Sequence, residues 1–126
     1  MGILNNIFGN NTSETKKQAC FDWNTLTTIE QFNDIVEKSR TKTQAIFKHS
    51  TRCGISSAVL KQFEKQSNTT IDFHYLDLLN YREISNNIAS RFNVVHQSPQ
   101  LLVIKNGVVV ASDAHYDIMN IALENF

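Results

Sequence analysis

The chain has 126 residues, enough for one domain with a real hydrophobic core, so neither a disulfide scaffold nor a metal staple is needed to hold it together. Hydrophobic residues make up 41% and charged residues 19%, an ordinary globular balance. Lys plus Arg equals Asp plus Glu at 12 each, which gives no support to a nucleic-acid binder, and no apolar run is long enough to span a bilayer.

The opening residues, Met1-Gly2-Ile3-Leu4-Asn5-Asn6-Ile7-Phe8-Gly9, lack the basic start and apolar core of a secretory signal. Asn6 stands where a myristoylation signal wants Ser or Thr. Ile3, Leu4, Ile7 and Phe8 fall on one face of a short turn that reads as packing on the domain. Residues 10–18 are polar and read as a linker. The expected organisation is a tail and linker over 1–19 and a single domain over 20–126. The expected compartment is the cytoplasm, where both cysteines are thiols at rest and no membrane contact is needed.

A weak strand is predicted around Phe21 to Trp23. Thr27 with Glu30 matches a capping box, and the helix it opens buries Ile29, Phe32, Ile35 and Val36. Gln44 to His49 reads as a short central strand, and Ser50-Thr51-Arg52 as a tight turn into Cys53. Ile55, Ala58, Val59 and Phe63 then mark the inner face of a second helix. Ile71 to Leu78 is the next strand. Asn80 with Glu83 signals a third helix, carrying Ile84, Ile88 and Phe92. Gln100 to Lys105 is a strand, Asn106-Gly107 a hairpin turn, and Val108 to Val110 the strand that pairs back. A last helix is predicted over Ala114 to Phe126, with Ile118, Ile121, Ala122 and Phe126 inward. The order β-α-β-α-β-α-β-β-α predicts an α/β fold with a central mixed sheet of four to five strands flanked by helices. It resembles the order of the thioredoxin-like fold.

Cys53 follows a buried strand and a short turn and opens a helix. The free amides and positive end of a helix favour an anion, so a thiolate gains over a thiol there. His49 and Arg52 are close enough in sequence to add positive potential. A dithiol exchange centre would carry a second cysteine where Ser56 stands. Serine can hydrogen-bond a thiolate or cap the helix, but it cannot close a disulfide, so the chemistry left is monothiol exchange with an external thiol finishing the cycle. Cys20 reads as a surface or edge residue near the linker rather than as a resolving thiol. The chain's only proline, Pro99, precedes a strand, where its missing N–H costs no ladder bond. None of the four histidines has metal-ligand spacing with a cysteine, so no metal site is expected.

Phe47-Lys48-His49-Ser50-Thr51-Arg52-Cys53-Gly54-Ile55-Ser56-Ser57 resembles the active-site segment of the YtxJ family, the single-cysteine, bacilliredoxin-like proteins of the bacillithiol system. The family pattern is Lys-His-Ser, a short turn, then Cys-Pro-Ile-Ser; Gly54 replaces the proline here. Ser98-Pro99-Gln100, Lys105-Asn106-Gly107 and Ala114-His115-Tyr116-Asp117-Ile118 fit the same resemblance, which covers about Trp23 to Leu123. It implies a thioredoxin fold and removal of bacillithiol, or a similar small thiol, from S-thiolated client proteins. Cys53 would be the nucleophile, and Ser56 would fill the resolving position. Pro99, joined to Ser98 by a cis bond, would shape the groove, with His49, Thr51, Arg52 and Gly54 around the sulfur. No bound cofactor is implied beyond the small thiol as co-substrate, and the expected state is a monomer or weak dimer.

Two other readings use the same residues. Cys53-Gly54-Ile55-Ser56 is near the Cys-Gly-Phe-Ser of monothiol glutaredoxins, which hold a [2Fe–2S] cluster between two subunits with glutathione, although Ala111-Ser112-Asp113-Ala114 stands where that family has Gly-Gly. Alternatively, the fold serves as a binding or stress-adaptor module with an inert Cys53.

Overall fold

A computed structural model of the chain describes residues 21–66 and 70–126. The expectations for the first twenty residues, Cys20 and the tail boundary among them, lie outside these residues. The described chain forms a five-stranded sheet in the order β1-β3-β2-β4-β5, with β1 at Asn24–Thr25, β2 at Gln44–His49, β3 at Asp72–Asp77, β4 at Gln100–Lys105 and β5 at Val108–Ala114. β2 lies parallel to β3 and antiparallel to β4, so it is central and every one of its residues is buried. A strand covered on both faces has no polar side, and that is why Ala45-Ile46-Phe47 reads as a continuous apolar run.

Alternation along the strands divides the core in two. Ile46, Leu76, Leu102 and Ile104 point to one face, where they meet Phe32, Ile35 and Val36 of α1 (Ile29–Lys38) and Ile84 and Ile88 of α3 (Arg82–Phe92). Ala45, Phe47, Phe73, Leu101 and Val103 point to the other, against Val59 and Phe63 of α2 (Gly54–Phe63) and the C-terminal residues Ile118 and Leu123. Phe21, Trp23, Phe47, Phe63 and Phe73 form a connected aromatic cluster on this second face.

Several local expectations shift. The first strand is Asn24–Thr25 rather than Phe21 to Trp23, whose aromatic rings pack on the core instead. The capping box of α1 is Thr28 with Gln31, one residue past Thr27 and Glu30. Gln31 Oε1 accepts from the amides of both Thr27 and Thr28, at 2.8 and 3.0 Å, which one glutamine can do for two adjacent N–H groups. In α2, Ile55 and Ala58 are exposed and Ser56 takes the inward position. α3 starts at Arg82 with Tyr81 as N-cap, while Asn80 Nδ2 donates to Asp77 Oδ2 at 2.8 Å.

The hairpin is where the sequence puts it: Asn106 and Gly107 both take positive φ, 55° and 79°, the pair a type I′ turn requires. β5 is longer than expected and carries a bulge, with Val103 opposite Ala111 and Ile104 opposite Val109. The C-terminal segment is not an α-helix. It is two 3₁₀ turns, His115–Asn120 and Leu123–Asn125, broken where Ile121 returns to extended backbone. The leading residue, Ala114, has only a methyl group and cannot cap an α-helix, and His115 takes left-handed backbone at φ 56°.

Candidate active site

β2 delivers the chain to one end of the sheet, and the turn at Thr51-Arg52 reverses it into α2. Cys53 is the N-cap of that helix, with φ −107° and ψ 121°. Its N–H donates to Ser50 O at 3.2 Å and its carbonyl accepts from Ser57 N–H at 3.1 Å, so its backbone is fixed from both sides. Its side chain is half-buried and makes no capping hydrogen bond among the described residues. The amides of the first turn, Gly54 to Ser56, have no partner inside the helix by geometry, and Cys53 is the residue that leads into them.

Ser56 lies one turn on and is fully buried. Its Oγ accepts from the Ser50 N–H at 3.1 Å and lies 2.8 Å from His49 Nδ1. The hydroxyl therefore ties the end of β2 and the turn to the helix. It neither caps the helix nor hydrogen-bonds Cys53, the roles its position in the sequence had offered. His49 is buried too, beside the Tyr75 ring and in register with Asp77 of β3. Burial pulls the His49 ring below its ordinary range, against the opposing charges of Asp77 and Glu64. Burial therefore favours the neutral ring, which weakens the positive potential that the sequence suggested beside Cys53. Thr51, Arg52 and Gly54, which flank Cys53 in the chain, are exposed, and a Cβ added at Gly54 would meet nothing within 4 Å among the described residues.

The β2–β4 register pairs Lys48 with Gln100, which sets Pro99 level with His49 at the same sheet end as Cys53. The Ser98–Pro99 peptide is cis, as the resemblance implied. Pro99 O accepts from His115 N–H at 3.0 Å, so the left-handed His115 serves to close β5 onto the proline. Ser98 Oγ is buried at this edge without a hydrogen-bond partner among the described residues.

Sequence reasoning missed the other face of the same sheet end. Lys48 is fully buried, with Nζ 3.4 Å from Ser85 O and 3.4 Å from His96 Nδ1. The signal was a lysine inside a central strand, where period-2 alternation sends it to the face opposite Phe47 and His49. Among the described residues no three His, Cys, Asp or Glu side chains are grouped to hold a metal ion, and no helix is long and apolar enough to cross a membrane.

Comparison with known proteins agrees with this geometry. Among solved structures, a thioredoxin-fold protein described as a candidate oxidoreductase is 36% identical, with a TM-score of 0.67 over 75% of this chain and 83% of its own. The Malassezia sympodialis thioredoxin Mala s 13 is 19% identical, with a TM-score of 0.66 over 83% of this chain and 87% of its own. Chlamydomonas reinhardtii thioredoxin f2 is 18% identical, with a TM-score of 0.66 over 82% of this chain and 94% of its own. At such identity the thioredoxins establish the fold alone. The family model described as monothiol bacilliredoxin BrxC matches residues 24–123, which takes in the whole described sheet and the Cys53 turn. A thioredoxin fold with one cysteine at the start of α2 is a thiol-oxidoreductase architecture, and the chain belongs to the monothiol bacilliredoxin family.

Proposed function

We propose that the protein is a monothiol thiol–disulfide oxidoreductase of the YtxJ type. Through Cys53 it removes bacillithiol, or a similar low-molecular-weight thiol, from mixed disulfides on client proteins. The observation that supports this reading is a half-exposed sulfur at the N-cap of α2, with a buried, already engaged serine where a resolving cysteine would stand.

The reaction balances with these residues. The Cys53 thiolate attacks the small-thiol sulfur of a client mixed disulfide. A new disulfide forms between Cys53 and the small thiol, the old S–S bond breaks, and the client sulfur leaves as a thiolate that takes a proton from water. A second small thiol then attacks the adduct, releasing the symmetrical small disulfide and restoring Cys53. Ser56 cannot perform that second attack, so the adduct waits for an external thiol. The first-turn amides of α2 stabilise the anionic sulfur, and the Ser98–Pro99 segment forms the wall along which the client backbone lies. Thr51, Arg52 and Gly54 border the open side, and His49 holds Ser56 in place. The reading places the protein in the cytoplasm, as a monomer or weak dimer, with no resident cofactor.

Intact-mass spectrometry after exposure to oxidised small thiols tests it. The expected result is a single adduct on Cys53 that is discharged by the free thiol, and complete loss of client de-thiolation in Cys53→Ser. Undiminished de-thiolation by Cys53→Ser would overturn the reading. A visible absorption band on an anaerobically purified dimer would replace it with the cluster-carrying alternative.

A further inference from the structure

The loop between α3 and β4, Asn93 to Ser98, leads directly into Pro99 and has no regular structure of its own. Its placement depends on side chains from three elements behind it. Gln100 of β4, itself buried, donates from Nε2 to Val95 O at 2.9 Å. Ser85 of α3, fully buried, brings its Oγ to 3.1 Å from His96 Nδ1. Lys48 of β2 reaches the same nitrogen at 3.4 Å and the Ser85 carbonyl at 3.4 Å. Lys48 is the residue that needs explaining, because a buried ammonium without a carboxylate is costly and a methionine of similar length would pack there more favourably. No ion pair to Lys48 occurs among the described residues.

We propose that Lys48 is a positioning residue for the substrate groove: with Ser85 it holds His96, and through His96 the loop that sets Ser98 and Pro99. The chemistry is consistent with this. Lys48 can only donate, so His96 Nδ1 must accept, and the ring is neutral with its proton on Nε2. His96 is exposed on its outer side, and desolvation of the rest of the ring, then the Lys48 and Arg82 charges, lower it from its ordinary range, which favours the neutral form. Burial also brings Lys48 down to about 8. Lys48 points away from Cys53, on the opposite face of β2 from His49, so it acts on the loop and not on the sulfur.

The inference rests on the reading that the Pro99 segment contacts the client, and the test separates the two. Three variants are compared with the wild type: Lys48→Met, His96→Leu, and His96→Asn, whose side-chain oxygen keeps an acceptor near the Nδ1 position. Attack on dithiodipyridine, a disulfide too small to use the groove, reports Cys53 alone and is expected to stay within about twofold in all three. KM for a peptide mixed disulfide is expected to rise about tenfold in Lys48→Met and His96→Leu, with kcat little changed, and to return toward wild type in His96→Asn. Amide hydrogen exchange over residues 94–98 is expected to quicken in the first two variants and not in the third. Unchanged KM together with unchanged loop exchange in Lys48→Met and His96→Leu would overturn the inference. If the wild type fails to de-thiolate any peptide, the proposed function falls, and the exchange data alone decide whether Lys48 holds the loop.

Discussion

Gly54 is the residue where this chain departs from the pattern it otherwise fits, and its surroundings say what the departure does. It is the first helical residue of α2, a position whose N–H has no intrahelical acceptor and where proline's fixed φ suits the helix. The residue before a proline must be extended, and Cys53 already is, at φ −107° and ψ 121°. A side chain at Gly54 would meet nothing within 4 Å among the described residues. Gly54→Pro should therefore stabilise the fold by about 0.4–1 kcal/mol, chiefly by restricting the unfolded chain. The measurement is a urea titration at constant m-value; a loss of stability would mean that the Gly54 N–H makes a bond the fold needs. Cys53 itself was legible from sequence because strand, turn and helix are contiguous, so local pattern alone locates the N-cap. The Ser56–His49 pair was not. Serine at that position fits either a capping or a sulfur-facing role, and only the packed turn decides that its hydroxyl goes to Ser50 and His49.

At the scale of elements, what was legible is what depends on periodicity, and what was not depends on a choice between near-equivalent residues. The inward face of α1, Phe32, Ile35 and Val36, follows from helical spacing, as does the Ile84–Ile88 face of α3. The start of α1 does not. Thr27 and Thr28 are adjacent, and Glu30 and Gln31 are both competent partners, so two capping boxes one residue apart are available. The structure selects Thr28, whose Oγ1 accepts the Gln31 N–H at 3.1 Å. Thr28→Ala should then cost about 1 kcal/mol, and Glu30→Ala only a few tenths through the helix dipole. Chemical denaturation of the two variants side by side checks this, and equal losses would restore the earlier register. The C-terminal segment shows the opposite limit. Ile118, Ile121 and Ala122 have helical spacing, but spacing reports only which residues face inward, and Ile118 is inward on a 3₁₀ turn just as it would be on an α-helix. The Lys48–Ser85–His96 contact joins residues 37 and 48 positions apart, and no local signal encodes it.

The whole molecule carries a pH dependence set chiefly by the buried ring of His74. His74 lies inside β3 with only 7% of its surface exposed, between β2 and β1. Gln44 commits its Nε2 to Lys42 O and Asp72 Oδ2, so its Oε1 faces His74 Nε2 at 2.8 Å and the ring is the donor there. Burial brings His74 down to about 4, outweighing the upward pull of Asp72. His49 and His96 are also lowered, again first by burial. A histidine in an unfolded chain titrates near 6.5, so below that pH the unfolded state binds protons the folded state refuses. Stability is therefore full above about 6.5 and falls as pH drops toward about 4, and His74 alone contributes about 3 kcal/mol of the loss. Asp72 acts in the same direction at lower pH. Its own burial pushes the carboxyl up, but hydrogen bonds from Lys42 and Gln44 and the Lys42 charge hold it below the usual carboxylate range. His74→Gln keeps a donor facing Gln44 but removes the titrating group. Unfolding free energies from urea titrations at neutral pH and at pH near 4.5 should lie about 2–3 kcal/mol closer together in this variant than in wild type, whatever its absolute stability. If the wild type and His74→Gln lose stability in parallel across that window, the acid sensitivity belongs to other groups, and His74 would have to be protonated within the folded sheet.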